Sequence, residues 1–150
     1  MTSSLEVLQV NLNGFSSSLS WLRRSYECCV GIGIKTDYTE IEFDYFENLT
    51  SRYARTTDLL VNKVLRSIDT VEFVTGGSLI DVVNRAEQRN IINSATEIRM
   101  FKDLRNEIAH EYETGNLQEL FDAVLQHTPQ LLAISEQVIG YCKKYKIQKL

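Results

Sequence analysis

The residues best suited to chemistry are concentrated in one stretch, residues 105–112, which reads Arg-Asn-Glu-Ile-Ala-His-Glu-Tyr. On a helical wheel that advances about 100° per residue, with Arg105 at zero, Asn106 lies at about 100° and His110 at about 140°. Asn106 and His110 are therefore neighbours at i, i+4 spacing, and Arg105 lies at the border of their face. A guanidinium, a carboxamide and an imidazole on one helix can bind a phosphate and exchange a proton with a nucleophile beside it.

The rest of this helix divides into a polar and an apolar side. Arg99 and Asp103 extend the polar stripe that carries Asn106 and His110. Tyr112, at i+7 from the arginine, returns to nearly the same wheel position as that arginine. The other side is predicted to face a core, as in an amphipathic helix, and consists of Ile98, Phe101, Leu104, Ile108 and Ala109.

An ordinary structural explanation of the stretch is open at this point. Arg105 can pair with Glu107, with Glu111 or with a residue of a neighbouring helix. An arginine and a histidine at this spacing also arise by chance in many helices. The spacing by itself therefore does not separate a salt-bridged helix end from a reactive site.

With the adjoining asparagine and tyrosine, the stretch resembles the R-x4-H-x-Y signature of HEPN domains. Within them it resembles the HepT-like toxins and their relatives once called nucleotidyltransferase substrate-binding proteins. The resemblance extends to residues 46–58, residues 63–66 and the helix start at residues 77–81. It covers most of the chain, roughly residues 38–121, and the two termini match only as helices. It implies a HEPN-like helical bundle that acts as a ribonuclease.

The chemistry of the stretch suits the activity that the resemblance implies. His110 can take a proton from a ribose 2′-hydroxyl and return one to the leaving 5′-oxygen. Arg105 can stabilise the negative charge of a phosphorane-like transition state, because its guanidinium keeps its proton. Asn106 can orient the imidazole or bind a phosphate oxygen. These steps need no metal ion, and we expect neither a metal site nor a cofactor in this chain.

The resemblance also implies a partner and a mode of control. Tyr112 corresponds to the acceptor that a cognate MNT-type nucleotidyltransferase antitoxin adenylylates, with ATP as the substrate of that partner. The chain would then be the toxin of a toxin–antitoxin pair, and transfer RNA is the substrate suggested by the family. The older family name gives an alternative, in which the chain is a non-catalytic substrate-binding subunit of a nucleotidyltransferase complex. A neighbouring gene for a small nucleotidyltransferase would support both, whereas toxicity of the chain alone would support only the nuclease.

The charge of the chain bears on how it could hold RNA. The formal net charge is −4 and the pI is near 5.2, so the general basic field that dominates non-specific nucleic-acid binding is missing. An RNA contact must then be local or built across an assembly. We expect a symmetric homodimer in which two motif helices face each other and Arg105 and His110 approach their twins across the axis.

Further candidates lie upstream, on the second helix and the first. Arg52, Arg55 and Asp58 would support the site if they face the motif helix or a partner. Arg99 and Asp103 would support it from the motif helix itself. The alternative is an intrahelical ion pair between Arg55 and Asp58. Trp21, beside a pair of arginines, invites a stacking interpretation, although such a tryptophan more often belongs to a core or an interface.

Composition places the chain among globular proteins with one domain, residues 1–150. It is 43% hydrophobic and 24% charged, and a chain of this size buries an ordinary core. The three cysteines make no metal spacing and are expected to be reduced, buried thiols. No signal peptide or membrane-length apolar run is present, so a cytoplasmic location is expected.

Apolar residues at steps of three and four predict helices throughout the chain. The fold class that follows is all-α, an antiparallel up-and-down four-helix bundle, HEPN-like, with an additional short helix. The predicted helices are a first over roughly residues 5–30, a second opened by Thr39 and Glu42 and running to about residue 74, a short one from Ser78 and Asp81 to Gln88, the motif helix from Ser94 and Glu97 to about residues 112–114, and a last helix from Leu117 with a kink and new cap at Thr128-Pro129.

Overall fold

A computed structural model describes residues 2–74, 76–114 and 117–145, with the backbone alone for residues 112–114. Within these ranges all regular secondary structure is helical, which confirms the predicted fold class. The helices are α1 (Ser4–Ile32), α2 (Glu40–Asp58), a π-helical segment (Leu59–Leu65), α3 (Arg66–Val71), α4 (Leu79–Gln88), α5 (Ala95–Thr114) and α6 (Leu117–Cys142).

Hydrogen bonds between helices fix the direction of α1 against the continuous run from α2 to α3. Asn11 donates to Ser67 over 2.6 Å, and the hydroxyls of Ser18 and Thr56 lie 2.7 Å apart. From one contact to the next, the residue number rises in α1 and falls in the run from α2 to α3, so these helices are antiparallel. The first pair of the predicted bundle is therefore up-and-down.

The last two long helices are also antiparallel. Gln137, near the end of α6, donates to the carbonyl of Ile91, which lies just before α5 begins. At the other end, only residues 115 and 116 separate α5 from α6. The four long helical stretches thus form the bundle, and α4 is the additional short helix.

Aromatic rings fill the centre of the bundle where α2 meets α6. Phe46 and Phe121 stack with their centroids 4.9 Å apart, and Tyr38 and Phe43 close around them with tilted or edge contacts. Burying each such side chain contributes about 1.5–3 kcal/mol. No helix in the described ranges is both long and apolar enough to cross a membrane.

Local caps set the predicted helix starts. Thr39 and Glu42 form a reciprocal capping box at α2, and Ser78 and Asp81 form another at α4. Each box satisfies backbone N–H groups that have no partner inside the helix. At the other end of α1, Gly33 adopts a φ of 75°, which a residue with a Cβ rarely adopts.

The sequence predicted one regular second helix, but a π-helical segment, Leu59–Leu65, interrupts it between α2 and α3. Buried residues recur here about every four positions, in the pairs Leu60-Val61 and Val64-Leu65 and then in the run Ser67, Ile68 and Asp69. In a regular α-helix a four-residue step turns about 40° too far, so such pairs would drift off the core. The wider i→i+5 turn of a π-helix offsets this drift and keeps the pairs buried.

The last helix starts at Leu117 as predicted, but the predicted new cap at Thr128-Pro129 is wrong, because α6 continues through Pro129. The Thr128 hydroxyl is not a cap but donates backwards to the carbonyl of Val124 over 2.6 Å. Pro129 lacks only the N–H that would bond to Leu125, and packing on both sides of it keeps the helix together. Both Leu131 and Val124 are buried.

The cysteines are free thiols, as predicted, but not all are buried. Cys29 and Cys142 are buried and Cys28 is exposed. Adjacent residues on a helix point about 100° apart, and on α1 the core-facing direction belongs to Cys29 and not to Cys28. Burial raises the pKa of Cys29 to about 12 and that of Cys142 to about 11, so neither forms a thiolate readily.

A buried carboxylate that the sequence analysis did not anticipate fastens α4 to the end of α3. Asp69 is 3% exposed and accepts hydrogen bonds from Arg85 Nη2 over 2.8 Å and from Arg89 Nη1 over 3.0 Å. Arg85 also donates to the carbonyl of Gly76, which leads into α4. Since α4 packs on α5, this cluster helps to position the motif helix.

We expect Asp69→Asn to lower the free energy of unfolding by about 3 kcal/mol, because it removes the carboxylate that pairs with the partly buried Arg85 and leaves Arg89 with Glu72 alone. Urea denaturation measures the change. The control is Glu136→Gln, which breaks an exposed pair with Arg23 and should change stability by less than about 1 kcal/mol. Equal effects for the two variants would contradict a structural role for Asp69.

Candidate functional site

The start of α5 is held in two ways. The Ser94 hydroxyl accepts from the N–H of Glu97 over 3.3 Å, as the predicted cap requires. The N–H of Ala95 donates to the Glu87 carboxylate over 2.5 Å, which ties the helix start to α4. Both contacts leave the helix direction little freedom before the reactive stretch begins.

The predicted faces of α5 are largely confirmed. Ile98, Phe101, Leu104 and Ile108 are buried. Ala109 is exposed, contrary to the wheel, because it lies about 100° from Ile108 on the edge of the apolar face.

The four polar residues of the predicted stripe are exposed. They are Arg99, Asp103, Asn106 and His110. Arg99 also donates to the Asn84 carboxamide over 3.4 Å. The imidazole and the carboxamide of the motif are thus open to a large ligand.

Arg105 forms a two-pronged ion pair with Asp58 of α2. Its Nε lies 3.0 and 3.2 Å from the two carboxylate oxygens, and its Nη2 lies 3.1 Å from Oδ2. The side chains are 36% and 40% exposed. Among the partners considered from the sequence, the neighbouring helix is the one that holds this guanidinium. The hydrogen bonds to Asp58 raise the pKa of Arg105, so the charge is retained.

The ion pair leaves one edge of the guanidinium for a ligand. Asp58 engages Nε and Nη2, and no acceptor in the described ranges bonds to Nη1 of Arg105. A planar guanidinium that is held on one edge presents its remaining N–H groups in a fixed direction. The arrangement suits the binding of a phosphate oxygen without a further change of the side chain.

Asp58 is the last residue of α2 before the π-helical segment begins. Such irregular turns occur frequently at functional sites. The sequence named Asp58 only as a supporting candidate. Of its two alternatives, the structure has Asp58 facing the motif helix, and the intrahelical pair with Arg55 is not among the described ion pairs. The π-helical segment could have been found from the sequence by the apolar pairs Leu60-Val61 and Val64-Leu65, which recur four positions apart just after Asp58.

The two other candidates of α2 do not reach the motif helix. Arg52 turns towards α1, where it donates to the Ser25 hydroxyl over 2.6 Å and lies over the ring of Trp21. Arg55 is exposed and has no ion pair within the part of the chain that the structure describes. Only Asp58 of the three is therefore in contact with the candidate site.

Tyr112 lies in the last turn of α5, close to the helix end predicted from the sequence. Its side chain lies outside what the structure describes. Its role therefore stays a prediction.

The polar side chains of α5 line none of the cavities in the part of the chain that the structure describes. Cavities of about 400, 310 and 170 Å³ lie elsewhere in the described chain, and none of their lining residues belongs to α5. Within the same ranges, no group of three His, Cys, Asp or Glu side chains could hold a metal ion.

One comparison with known proteins identifies the chain at the level of a family. The model of a family described as Ribonuclease HepT-like matches residues 36–138. This range is more than half of the chain and includes the whole motif, while α1 precedes it. A search of curated proteins found no match.

A double-mutant cycle tests whether the Arg105–Asp58 pair persists in solution. We expect Arg105→Gln and Asp58→Asn to show a coupling of about 0.5–1 kcal/mol in the free energy of unfolding, because the pair is two-pronged but about one-third exposed. The matched control is the cycle for Arg23 and Glu136, which share one hydrogen bond and should couple less. Additive effects at Arg105 and Asp58 would show that the guanidinium is not held as described.

Proposed function

Because this chain belongs to the HepT-like ribonuclease family, we propose that it is a metal-independent endoribonuclease whose site lies on the exposed face of α5. Membership supports ribonuclease activity in general. One observation carries the proposal of a metal-independent site on α5. The Arg105 guanidinium is held by Asp58 of α2, and Arg105 lies on the same helix as the exposed His110 and Asn106.

The proposed reaction is an internal transfer on the RNA backbone. The ribose 2′-oxygen forms a bond to phosphorus as its proton passes to His110, and the bond from phosphorus to the 5′-oxygen breaks. His110 returns the proton to that 5′-oxygen, which leaves a 2′,3′-cyclic phosphate on the other fragment. Arg105 stabilises the charge that builds up on the phosphorane oxygens, and Asn106 orients the imidazole or binds one of these oxygens.

Asp58 acts in this proposal as a positioning residue. It touches the guanidinium and not the RNA, and its two oxygens hold Arg105 in one orientation. Arg99 and Asp103 lie further along the stripe and support binding of the strand and not the reaction itself. A guanidinium held before substrate arrives needs no reorganisation in the transition state.

The same geometry supports a homodimer. On the α5 wheel, Arg105 and His110 lie about 140° apart, so one copy presents them on different sides of the helix. In the proposed dimer, two motif helices face each other across a two-fold axis, and Arg105 and His110 of one protomer approach their twins in the other. The assembly would form a composite cleft around side chains that are exposed or partly exposed in a single protomer.

Control by a partner completes the proposal. An MNT-type nucleotidyltransferase would use ATP to transfer AMP to the hydroxyl of Tyr112, with pyrophosphate as the leaving group. Tyr112 is at i+7 from Arg105 on the same helix, so the added phosphate would compete for the guanidinium. The nucleotide would also obstruct the cleft, and the chain would act as the toxin of a toxin–antitoxin pair. Transfer RNA is the proposed substrate.

We expect His110→Ala and Arg105→Gln each to lower RNA cleavage by about 10²-fold or more. General acid–base catalysis by a residue such as His110 typically contributes about 10²–10⁴-fold, and removing one group that stabilises transition-state charge, as proposed for Arg105, costs about 10²–10³-fold. Cleavage of radiolabelled transfer RNA by the purified protein measures this, with analysis of the ends for a 2′,3′-cyclic phosphate. Activity should persist in a chelator. His127→Ala is the matched control, since this histidine lies on α6 and bonds Gln130. Cleavage that is unchanged in His110→Ala, or abolished by the chelator, would contradict this mechanism. No cleavage by the wild-type protein would favour the non-catalytic substrate-binding subunit.

Native mass spectrometry tests the assembly and its control together. The unmodified chain should appear as two copies per particle at micromolar concentration. Coexpression with the cognate nucleotidyltransferase should add the mass of one or more AMP units per chain, and Tyr112→Phe should prevent the addition. A monomer would contradict the composite cleft, and neutralisation of Tyr112→Phe by the partner without tight binding would contradict control through this hydroxyl.

A further inference from the structure

The seam between α1 and α2 carries an aromatic and cationic surface that the proposed chemistry does not use. Its centre is Trp21, the single tryptophan of the chain, which is 48% exposed. The guanidinium carbon of Arg52 lies 4.8 Å from the centre of the indole ring, and that of Arg24 lies 5.5 Å from it. Both distances are within the roughly 6 Å of a cation–π contact. The ring is therefore oriented by its neighbours while much of it is open to solvent.

Arg52 is fixed more firmly than an ordinary surface arginine. Its Nη1 donates to the hydroxyl of the buried Ser25 over 2.6 Å and to the carbonyl of Trp21 over 3.4 Å. Its Nε and Nη2 have no acceptor within the described ranges. A charged fork is thus held in place beside the indole with donors left for a ligand.

Two cavities that share Trp21 and Arg52 form a groove along this seam. The larger, of about 310 Å³, is lined by Trp21, Arg24, Ser25, Cys28, Tyr45, Asn48 and Arg52. The smaller, of about 170 Å³, continues to Ser18 and Arg55. None of the described lining residues is a carboxylate. The volume of the larger cavity reaches the lower end of the roughly 300–1,000 Å³ found for small-ligand sites.

We propose that this groove binds an unpaired nucleobase of single-stranded RNA against Trp21, with Arg24, Arg52 and Arg55 holding the adjacent phosphates. Proteins bind single strands by combining aromatic stacking surfaces with a cationic groove. The proposal rests on the ribonuclease function for the choice of RNA as the ligand. It adds a substrate-binding site on the α1–α2 side of the bundle.

The side chains of the groove match the parts of a nucleotide. The indole and the Arg52 guanidinium offer flat faces for a base, and Asn48 offers donors and an acceptor for its edge. Arg24 is exposed and has no ion pair in the described part of the chain, so it can turn from the ring to a phosphate. In a chain of net charge −4, such a local group of cations is what could attract RNA.

Position along α2 connects the groove with the candidate site. Arg52, Arg55 and Asp58 follow at three-residue steps, each about 60° further round the helix. The row therefore passes from the α1 side to the α5 side of α2 while rising about 9 Å along its axis. A strand stacked at Trp21 can continue along this row towards Arg105.

The single tryptophan makes the site directly observable. The probe is a short single strand of 2′-O-methyl ribonucleotides, which cannot be cleaved because the attacking 2′-hydroxyl is blocked. We expect saturable quenching of Trp21 emission, and no quenching by an abasic strand of the same length. By fluorescence anisotropy of a labelled strand, Trp21→Ala should weaken binding about tenfold or more, in line with the loss of one stacked base. Trp21→Phe should retain most of the affinity.

The matched control for charge is Arg23→Gln. Arg23 neighbours Arg24 in sequence but pairs with Glu136 of α6, so its loss should affect binding far less than Arg52→Gln. Unchanged emission together with wild-type affinity in Trp21→Ala would overturn the inference. An emission change that follows protein dilution and not RNA would also overturn it, by showing a contact between copies. Binding at Trp21 without any His110-dependent cleavage would uphold this site while refuting the proposed ribonuclease function.

Discussion

Arg105 donates two parallel hydrogen bonds to the carboxylate of Asp58, from Nε to Oδ1 and from Nη2 to Oδ2. The arrangement of the candidate site depends on this ion pair. It ties α5 to α2 at the position where α2 changes into a π-helical segment. An arginine at the border between a buried and an exposed face has long reach and many rotamers. The carboxylate selects one of them and keeps the charge in place without removing it from solvent.

The contrast with Asp69 shows two uses of the same chemistry. Asp69 is buried, its two arginine partners are partly buried, and the cluster acts as a fastening between α3 and α4. Asp58 and Arg105 are each more than one-third exposed, so their pair contributes little to stability. An exposed pair can fix the orientation of the guanidinium. A fixed orientation stabilises a transition state more than it stabilises the folded chain.

Two cationic surfaces lie on different sides of α2. One is the motif surface with Arg105, and the other is the groove with Arg24 and Arg52 beside Trp21. The α5 side carries the motif and lies within the range that matches the family, whereas the α1 side carries Trp21, which precedes that range. Arg55 lies on the exposed ridge between them. A single helix can serve both regions because successive three-residue steps wind slowly around it. In the proposed complex, RNA would be bound on one side of α2 and cleaved on the other.

Local signals account for most of the fold that could be predicted. The capping boxes at Thr39 and Ser78 satisfy N–H groups within three residues, so their information is contained in the sequence. The predicted cap at Thr128 failed because packing along α6 outweighs the missing N–H of Pro129. The π-helical segment was missed because it depends on which face of the second helix meets the other helices.

The sequence by itself determined the all-helical bundle and the exposed polar stripe that carries Asn106 and His110, since both follow from helical periodicity. It could not determine the partner of Arg105, because Asp58 is 47 positions away along the chain and reaches it only when α2 packs against α5. It also could not place Arg52 over Trp21, because that contact needs the register of α1 against α2. Periodicity specifies which face of a helix is polar, whereas packing decides which charged groups meet across helices.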